Sequence, residues 1–344
     1  MLTTRFTDMV GCAIPIQSAG MGSLSTPALA AAVTNAGGLG TVSVYGGVPP
    51  AVIAETLDRL REQAVGPIAA NFILHFVDPA EVAGAVTAAS SRVKVVDFFY
   101  TDPALVALVH HHGTLACWQV GSREEALAAV AAGCDFVIAQ GIGAGGHVRG
   151  TIGLLALLDE VLDAVDVPVL AAGGIGSGRA MAAALAAGAD GVRVGTRFVA
   201  AEEAEAHPTY VQALFAARPE DTIYTEAFRV GWPINAPHRL LRSCIGAAET
   251  FPGDVIGEGE NLLTGRRFPV TRFATHGVGR GFTGEIGAMS LWAGESVGRV
   301  TCVRPAAGIV RELTGEAERH LRRWGHQADP PEDKATDSEP APRR

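Results

Sequence analysis

The sequence predicts an α/β protein, a (β/α)8 TIM barrel followed by a small second α+β domain and a C-terminal helix. Short apolar runs alternate eight times with Ala/Leu-rich amphipathic stretches from residue 14 onward. This spacing indicates βαβ crossovers and a parallel sheet, and eight units favour a closed barrel over an open doubly wound sheet. The alternation stops near residue 220, where we expect the second domain to begin.

Each predicted barrel unit pairs one apolar run with one helical stretch. The predicted strands lie near residues 14–19, 39–44, 68–72, 93–98, 114–119, 136–140, 167–171 and 191–194. The predicted helices lie near residues 26–36, 50–64, 79–90, 103–111, 123–132, 152–164, 178–187 and 207–217. Thr26 before Pro27, and Ser122 before two glutamates, are typical of helix starts.

The chain is expected to divide into four segments. The barrel takes residues 1–220, a small domain that covers it takes 221–290, and residues 291–325 hold a helix that returns to the barrel. A helix is expected near 236–248 and another over 302–324. The second of these has as its apolar positions Val303, Ile309, Val310, Leu313 and Leu321. The tail, 326–344, is rich in Pro, Asp and Glu and is predicted to be disordered.

Composition excludes several classes of protein. The net charge is −9 and the body of the chain has no Lys/Arg block, so we expect no nucleic-acid or anionic-membrane partner. The five cysteines are odd in number and widely spaced, which predicts reduced thiols in the cytoplasm and neither disulfides nor a zinc site. The N-terminus does not resemble a signal peptide, and no apolar run reaches the roughly 20 residues of a membrane span. We therefore expect a cytoplasmic protein without a metal site.

Residues 135–150 are the stretch most suggestive of chemistry. An apolar run of strand length leads into a loop that contains five glycines and His147. Glycines allow a ligand to approach the main chain, and histidine exchanges protons near neutral pH. Taken alone, this stretch is equally consistent with a tight turn that carries an incidental solvated histidine. Ligands in parallel barrels bind at the carboxyl ends of the strands, which favours the functional interpretation.

Glycine loops also follow the first, seventh and eighth predicted strands. The loops at 173–178 and 195–197 lie where this architecture usually binds phosphate, because glycines and helix-start N–H groups accommodate an anion. Residues 173–178 match neither the Walker pattern nor the Rossmann glycine spacing, so FMN is a better candidate than ATP or NAD. Asn71, Gln119 and Gln140 at strand ends are candidates to hydrogen-bond the flavin's pyrimidine edge. Asp97, at another strand end, is a candidate helix cap.

Together these motifs resemble the nitronate monooxygenase family, formerly called 2-nitropropane dioxygenases. Relatives of that family include the flavin-dependent enoyl reductases of bacterial fatty-acid synthesis. The resemblance rests on segments 15–22, 35–40, 139–147, 172–175 and 194–198, with a fainter match at 292–296.

The resemblance implies an FMN-dependent enzyme that oxidises nitroalkanes or alkyl nitronates with O2 to a carbonyl compound and nitrite. It implies that His147 is the catalytic base and that the second domain covers the isoalloxazine ring. Arg149 or Arg229 is a candidate to attract the nitro group. The implied cofactor-binding residues are Met21, Gly22, Asn71, Gln119, Gln140, Gly141, Gly145, Gly146, Gly173, Gly174, Gly195, Thr196, Gly294 and Glu295.

Two departures and two alternatives stay open at this point. The family usually has Glu where this chain has Gly143. It usually has Gln where this chain has Glu295, and Glu295 would place a carboxylate near the flavin. The first alternative function is an NAD(P)H-dependent FMN reductase acting on an enoyl thioester or a quinone. The second is a non-catalytic barrel that binds a phosphorylated ligand. The assembly is also open, with a homodimer among the options.

Overall fold

A closed eight-stranded parallel barrel forms the larger part of the fold. The structure, a computed structural model, describes residues 2–44, 48–73, 79–99, 103–232, 236–261 and 263–325. The barrel strands are β1 (Ile16–Ser18), β2 (Gly40–Val44), β3 (Ile68–Phe72), β4 (Val95–Phe98), β5 (Leu115–Val120), β6 (Phe136–Gln140), β8 (Val169–Ala172) and β9 (Gly191–Val194). A two-residue strand, β7 (Gly146–His147), lies in the loop after β6 and joins a different sheet. The predicted barrel is confirmed, with shifts of one or two residues at several strand ends.

The order of the barrel strands is β1-β9-β8-β6-β5-β4-β3-β2. A parallel bridge between Gln17 and Leu39 closes β1 onto the start of β2. The Ser18 N–H donates to the Leu39 carbonyl at 3.0 Å across this seam. The sheet therefore has no free edge, and all eight carboxyl ends face one side of the molecule.

The helices of the barrel follow the predicted order. In chain order, the helices are α1 (Arg5–Val10), α2 (Pro27–Asn35), α3 (Pro50–Gln63), α4 (Pro79–Ser90), α5 (Pro103–His111), α6 (Arg123–Ala131), α7 (Leu154–Leu162), α8 (Gly178–Ala186), α9 (Thr196–Val199), α10 (Pro208–Ala216), α11 (Arg242–Thr250) and α12 (Ala306–Gly325). Of these, α10 and α11 pack in a second hydrophobic cluster. The Thr26 and Ser122 hydroxyls accept the N–H groups of Leu29 and Glu125, so both predicted caps are confirmed. The sequence did not predict α1, whose Phe6 packs edge-on against Phe136 at 5.4 Å.

We call residues 222–300 the second region. It contains two small antiparallel sheets, the first of which also includes β7. One consists of β10 (Thr222–Thr225), β11 (His238–Leu241) and β7 in that order. The other consists of β12 (Val255–Glu260), β13 (Arg267–Thr271) and β14 (Thr283–Gly284), with β12 in the middle. The helix predicted near 236–248 is wrong in its first half: β11 occupies 238–241, and α11 begins only at Arg242. Pairing of β11 on both sides and its burial outweigh the helical propensity of its leucines.

The C-terminal helix packs on the barrel. Ile309, Val310 and Leu313 are buried in the barrel's hydrophobic cluster, as predicted. The predicted start at 302 is wrong: α12 begins at Ala306, because the Pro305 carbonyl accepts the first helical N–H groups. Val303 therefore lies outside the helix and is 49% exposed.

Residues 199–300 contribute most of a second hydrophobic cluster, in which Tyr210 and Leu214 of α10 are fully buried. The domain boundaries at 220, 290 and 325 stay predictions. The tail, 326–344, lies outside the described residues. Within the described part of the chain, no helix has the length and apolar character needed to cross a membrane.

Candidate active site

A cavity of about 440 Å³ lies between the carboxyl ends of the barrel strands and the second region. Its volume is within the range of cofactor and small-molecule sites. The second region contributes an outer wall that includes Trp232, Glu260, Phe268, His276 and Trp292. Ten predicted site residues line the cavity: Met21, Gly22, Asn71, Gln119, Gln140, Gly145, Gly146, His147, Gly195 and Thr196.

The loop that carries His147 is fixed on both sides. In the antiparallel pairing of β7 with β11, His147 lies opposite His238 and Gly146 lies opposite Arg239. The Gln140 side chain donates from Nε2 to the His147 carbonyl at 3.0 Å and accepts the Arg149 N–H at 2.8 Å. Gln140 thus braces the backbone of the histidine loop, while its predicted contact with a cofactor stays a prediction.

Aromatic rings set the orientation of the His147 imidazole. The Trp232 ring stacks on it with centroids 3.4 Å apart and planes within 8°. The Trp292 ring lies at 5.2 Å and the Phe99 ring at 6.1 Å. The sequence did not single out these rings, because Trp232 and Trp292 reach the site from the second region, about 85 and 145 residues further along the chain.

Two further histidines belong to this region: His238 is fully buried with its ring centroid 6.4 Å from that of His147, and His276 is half-buried at the cavity wall. The Nε2 atom of His238 accepts the Phe228 N–H at 3.2 Å, and burial lowers the pKa of His238 to about 4. Burial also lowers the pKa of His276, which lines the outer wall. His238 is therefore neutral at pH 7 and adds no positive charge beside His147, which suits a site for proton abstraction.

A buried polar network lies inside the barrel, below the cavity. The fully buried Asp97 carboxylate accepts hydrogen bonds from Arg193 at 3.0 Å, from Gln17 at 3.1 Å and from the Asn71 amide. Asp97 therefore does not cap the next helix, which was the role we considered for it. Arg193 was not among the predicted site residues, although an arginine inside the apolar run 191–194 is a usable signal.

Arg193 and Gln119 offer polar atoms to a ligand. Arg193 lines the cavity, and its buried Nε has no hydrogen-bond partner among the described residues. Gln119 is buried at the cavity wall, and its side-chain amide makes no hydrogen bond within the described part of the chain. An amide supplies both donors and an acceptor, as the pyrimidine edge of a flavin requires.

The predicted phosphate loops are open toward an anion. Gly173 and Gly174 have φ values of 102° and 72°, a region that favours glycine, and a Cβ at Gly174 would meet no atom within 4 Å. Among the described residues, the N–H groups of Gly174, Ile175 and Gly176 donate no hydrogen bond. Such a row of unpaired N–H groups fits a phosphate. Gly173 and Gly174 do not line the cavity itself.

Main chains pack closely at three of the predicted glycines. A Cβ at Gly141 would lie 2.6 Å from the Cα of Leu154, and one at Gly173 would lie 2.8 Å from the Gly141 carbonyl oxygen. A Cβ at Gly294 would lie 2.7 Å from the Gly145 nitrogen. The Gly294 N–H also donates to the Thr196 hydroxyl at 3.0 Å. Gly141 and Gly294 therefore support the loops that line the cavity and do not line it themselves.

The two departures from the family pattern form a single packing arrangement. A Cβ at Gly143 would lie 2.5 Å from Oε2 of Glu295, so that carboxylate occupies the space beside Gly143. Oε1 of Glu295 lies 3.3 Å from the Arg239 guanidinium. Arg239 also donates to the Ile142 carbonyl at 3.0 Å. Glu295 thus faces Arg239 and does not line the cavity.

The two arginines proposed to attract a nitro group are not at the cavity wall. Arg149 pairs with Glu125 and lies over the Phe99 ring at 5.5 Å. Arg229 is exposed. Among the described residues, Arg193 is the arginine that lines the cavity. The residues present, with open N–H groups, an open amide and a partly unpaired guanidinium, fit a phosphate-bearing flavin.

An α/β-barrel enzyme is the class that this fold and this glycine-lined cavity define. The sequence profile of the family described as Nitronate monooxygenase matches residues 3–316, and the chain belongs to this family. It is therefore a flavin-dependent oxidoreductase.

Three known proteins illustrate the range of the similarity. The Nitronate monooxygenase of Pseudomonas aeruginosa is 36% identical over 287 residues, which cover 70% of this chain and 81% of that protein. A (3aS,4S,5R,7aS)-5-hydroxy-7a-methyl-1-oxo-octahydro-1H-indene-4-carboxyl-CoA dehydrogenase of Rhodococcus jostii is 32% identical over 257 residues, 74% of this chain and 70% of its own. The solved structure of nitroalkane oxidase from Streptomyces ansochromogenes has a TM-score of 0.73 and 29% identity, and covers 93% of this chain and 100% of that chain.

Proposed function

We propose that this protein is an FMN-dependent nitronate monooxygenase that oxidises nitroalkanes or alkyl nitronates with O2 to a carbonyl compound and nitrite. The observation that carries the proposal is His147, which lines a glycine-lined cavity and is held there by β11 and Gln140. The names of the Pseudomonas relative and the Streptomyces neighbour support this chemistry. A cytoplasmic location and a homodimeric assembly stay predictions from the sequence.

The cofactor proposal assigns a part of the site to each part of FMN. The unpaired N–H groups at 174–176, with Gly195 and Thr196, would hold the phosphate. Gln119 would hydrogen-bond the pyrimidine edge, and Met21 would lie beside the ring system. When bound, FMN supplies the redox chemistry that connects the nitronate to dioxygen.

The protein's own contribution is to move one proton and to orient the substrate. His147 in its neutral form removes the acidic α-proton of a nitroalkane, while Trp232 and Trp292 fix the plane of its ring. Asp97 balances the charge of Arg193, and the unpaired Nε of this lining residue is a candidate hydrogen-bond donor to an anionic group. A preformed nitronate has already lost the α-proton, so its oxidation does not need the base.

Replacement of His147 by Asn tests the assignment of the base. We expect turnover of a neutral nitroalkane to fall by at least about 100-fold, the scale of general base catalysis. Turnover of the preformed nitronate should fall far less. Nitrite release by His147→Asn is measured with both substrates, with the exposed His111→Asn variant as the control. Unchanged nitroalkane turnover in His147→Asn would contradict the proposal.

A thioester oxidoreductase is the second candidate function. The name of the Rhodococcus relative, a dehydrogenase of a carboxyl-CoA, favours it. The barrel, the glycine loops and the open cavity would serve such an enzyme equally well. The two functions differ in the electron donor that reduces the flavin: a nitronate in the first case, and NADH or NADPH in an FMN reductase.

A further inference from the structure

The outer wall of the cavity contains a compact group of aromatic rings. Phe268 lies 4.9 Å from His276 and 6.0 Å from Phe282, measured between ring centroids. The planes of the two phenyl rings are nearly perpendicular, at 85°. All three rings line the cavity, and Phe268 and His276 are only partly buried. We call these three residues the ring group, and it has no role in the chemistry proposed above.

The pairing of β12 with β13 separates the ring group from the charges of the same sheet. Gly259 lies opposite Phe268, and a Cβ at Gly259 would lie 2.7 Å from the Phe268 ring and 2.8 Å from the Phe282 ring. The two rings therefore occupy the space that a side chain at Gly259 would need. Glu260, the next residue, lies opposite Arg267. Because successive side chains of a strand point to opposite faces, these two charged residues belong to the other face of the sheet.

The ring group is connected to His147 through Trp292. The Trp292 ring centroid lies 5.2 Å from that of His147, and its Nε1 donates to the His276 carbonyl at 3.0 Å. The Ser290 hydroxyl also donates to this carbonyl, at 2.7 Å, and accepts the His276 N–H at 3.1 Å. The wall that begins at His147 thus continues through Trp292 to the ring group, where three hydrogen bonds fix the backbone of His276.

The ring group is uncharged at neutral pH. Burial lowers the pKa of His276, so its imidazole is neutral at pH 7. Among the described residues of the lining, the arginine is Arg193, and it pairs with Asp97 inside the barrel. The residues assigned above to FMN all lie in barrel segments, which leaves the outer wall for the substrate. The ring group therefore suits a neutral aromatic group better than an ion.

We propose that Phe268, His276 and Phe282 form a subsite for an aryl group carried by the substrate, away from its nitro group. The assignment rests on the proposed function and names its substrate class, which is nitroalkanes or nitronates with a distal aromatic ring. Rings at different tilts allow offset-stacked and edge-to-face contacts with an aryl group. An aliphatic ring of the same size buries similar apolar area without these contacts. A distal carboxylate is disfavoured, because it would lose hydration without gaining a counter-ion.

Three substrates test the subsite in the flavin-loaded enzyme: 1-nitro-3-phenylpropane, 1-nitro-3-cyclohexylpropane and 3-nitropropionate. We expect kcat/KM for the phenyl compound to exceed that for the cyclohexyl compound by roughly two- to ten-fold, the scale of an aromatic pair beyond its buried area. We expect 3-nitropropionate to be the poorest substrate. The Phe268→Leu variant keeps an apolar side chain but removes the ring that contacts both of the others, so the phenyl-to-cyclohexyl ratio should fall to about one.

Phe251→Leu is the matched control, because Phe251 is partly buried in the second hydrophobic cluster and does not line the cavity. It should leave the phenyl-to-cyclohexyl ratio unchanged. A ratio near one in the parent enzyme, or the same ratio in Phe268→Leu as in the parent, would overturn the subsite. A higher kcat/KM for 3-nitropropionate than for the phenyl compound would also overturn it.

A binding measurement separates failure of the subsite from failure of the proposed function. Calorimetric titration of the flavin-loaded protein with benzamide and with cyclohexanecarboxamide needs no turnover. We expect benzamide to bind roughly two- to ten-fold more tightly, and Phe268→Leu to remove the difference. If this holds while no nitroalkane or nitronate is oxidised, the aryl subsite stands and the proposed function fails. If nitroalkanes are oxidised but the two probes bind equally, the subsite fails alone.

Discussion

At the scale of single residues, the burial of an ion pair decides how much the protein loses in stability when one partner is removed. The Asp97–Arg193 and Asp58–Arg92 pairs both have an N–O distance of 3.0 Å. The side chains of the first pair are 0% and 3% exposed, whereas those of the second are 51% and 27% exposed. Solvent screens the second pair, and only the first leaves an uncompensated buried charge when one partner is removed.

Replacement of Asp97 by Asn should therefore destabilise the protein strongly. We expect the free energy of unfolding to fall by about 3–5 kcal/mol, because the Arg193 charge stays buried without its counter-ion. For Asp58→Asn we expect a loss within about 1 kcal/mol. Urea unfolding of both variants measures the difference. Equal losses in the two variants would contradict the assignment of Asp97 to a buried network.

Stability should also depend on pH through His238. In the folded state its pKa is about 4, against 6.5 for an ordinary imidazole, so the unfolded chain takes up the proton first as the pH falls. Above pH 6.5 this residue does not reduce the free energy of unfolding. Between pH 6.5 and 4 the free energy of unfolding falls by on the order of 3 kcal/mol. Urea unfolding of His238→Gln from pH 7 to pH 4 should show a weaker pH dependence than the parent. An identical dependence, with the exposed His111→Gln as the control, would argue against this burial effect.

Sequence could predict the place of His147 but not its surroundings. In a parallel barrel, a histidine in a glycine loop that follows a strand lies at the carboxyl ends of the strands, where ligands bind. Its position in the sequence was therefore enough to place it at the site. Asp97 and Arg193 meet inside the barrel only because β4 and β9 turn these side chains inward. That direction depends on strand tilt and register, which one sequence does not reveal.

At the scale of elements, the loop 141–149 is fitted to segment 293–295 main chain against main chain. A Cβ at Gly145 would lie 2.4 Å from the Gly294 nitrogen and 2.7 Å from the Ala293 carbonyl carbon. A Cβ at Gly143 would come equally close to Glu295, but to the end of a side chain that is 48% exposed. A side chain can swing away, whereas two packed backbones cannot.

Gly145→Ala and Gly143→Ala therefore form a matched pair with different expected outcomes. We expect Gly145→Ala to lower the free energy of unfolding by about 1–3 kcal/mol and to displace the His147 loop. For Gly143→Ala we expect a change within about 1 kcal/mol, since only Glu295 has to move. Urea unfolding and nitroalkane turnover of both variants give the comparison. A larger effect of Gly143→Ala than of Gly145→Ala would contradict this packing.

The elements of the barrel were predictable, and those of the second region were much less so. Alternating apolar runs and helices in the barrel are local patterns with a fixed period, so strand ends were placed within about two residues. β11 is different, because its sequence permits a helix and only its partners β10 and β7 make it a strand. Pairing between strands that are far apart in the sequence is hard to predict from a short stretch of that sequence.

At the scale of the whole molecule, the site is made by two cores that share one loop. The barrel cluster supplies the strand ends and the phosphate loops, and the second cluster supplies the aromatic wall. β7 leaves the barrel after β6 and pairs in the sheet of the second region, so His147 belongs to both parts. The family resemblance predicted a second domain over the site. Sequence patterns alone did not show which of its aromatic side chains contact His147.

The electron donor of the bound flavin is the measurement that tests the central claim most directly. The flavin-loaded enzyme is mixed anaerobically with an alkyl nitronate, or with NADH or NADPH, and the absorbance of the oxidised flavin is followed. The proposed nitronate monooxygenase predicts rapid bleaching by the nitronate and little or none by the nicotinamides. Rapid bleaching by NADH or NADPH, with none by the nitronate, would contradict it and favour the reductase.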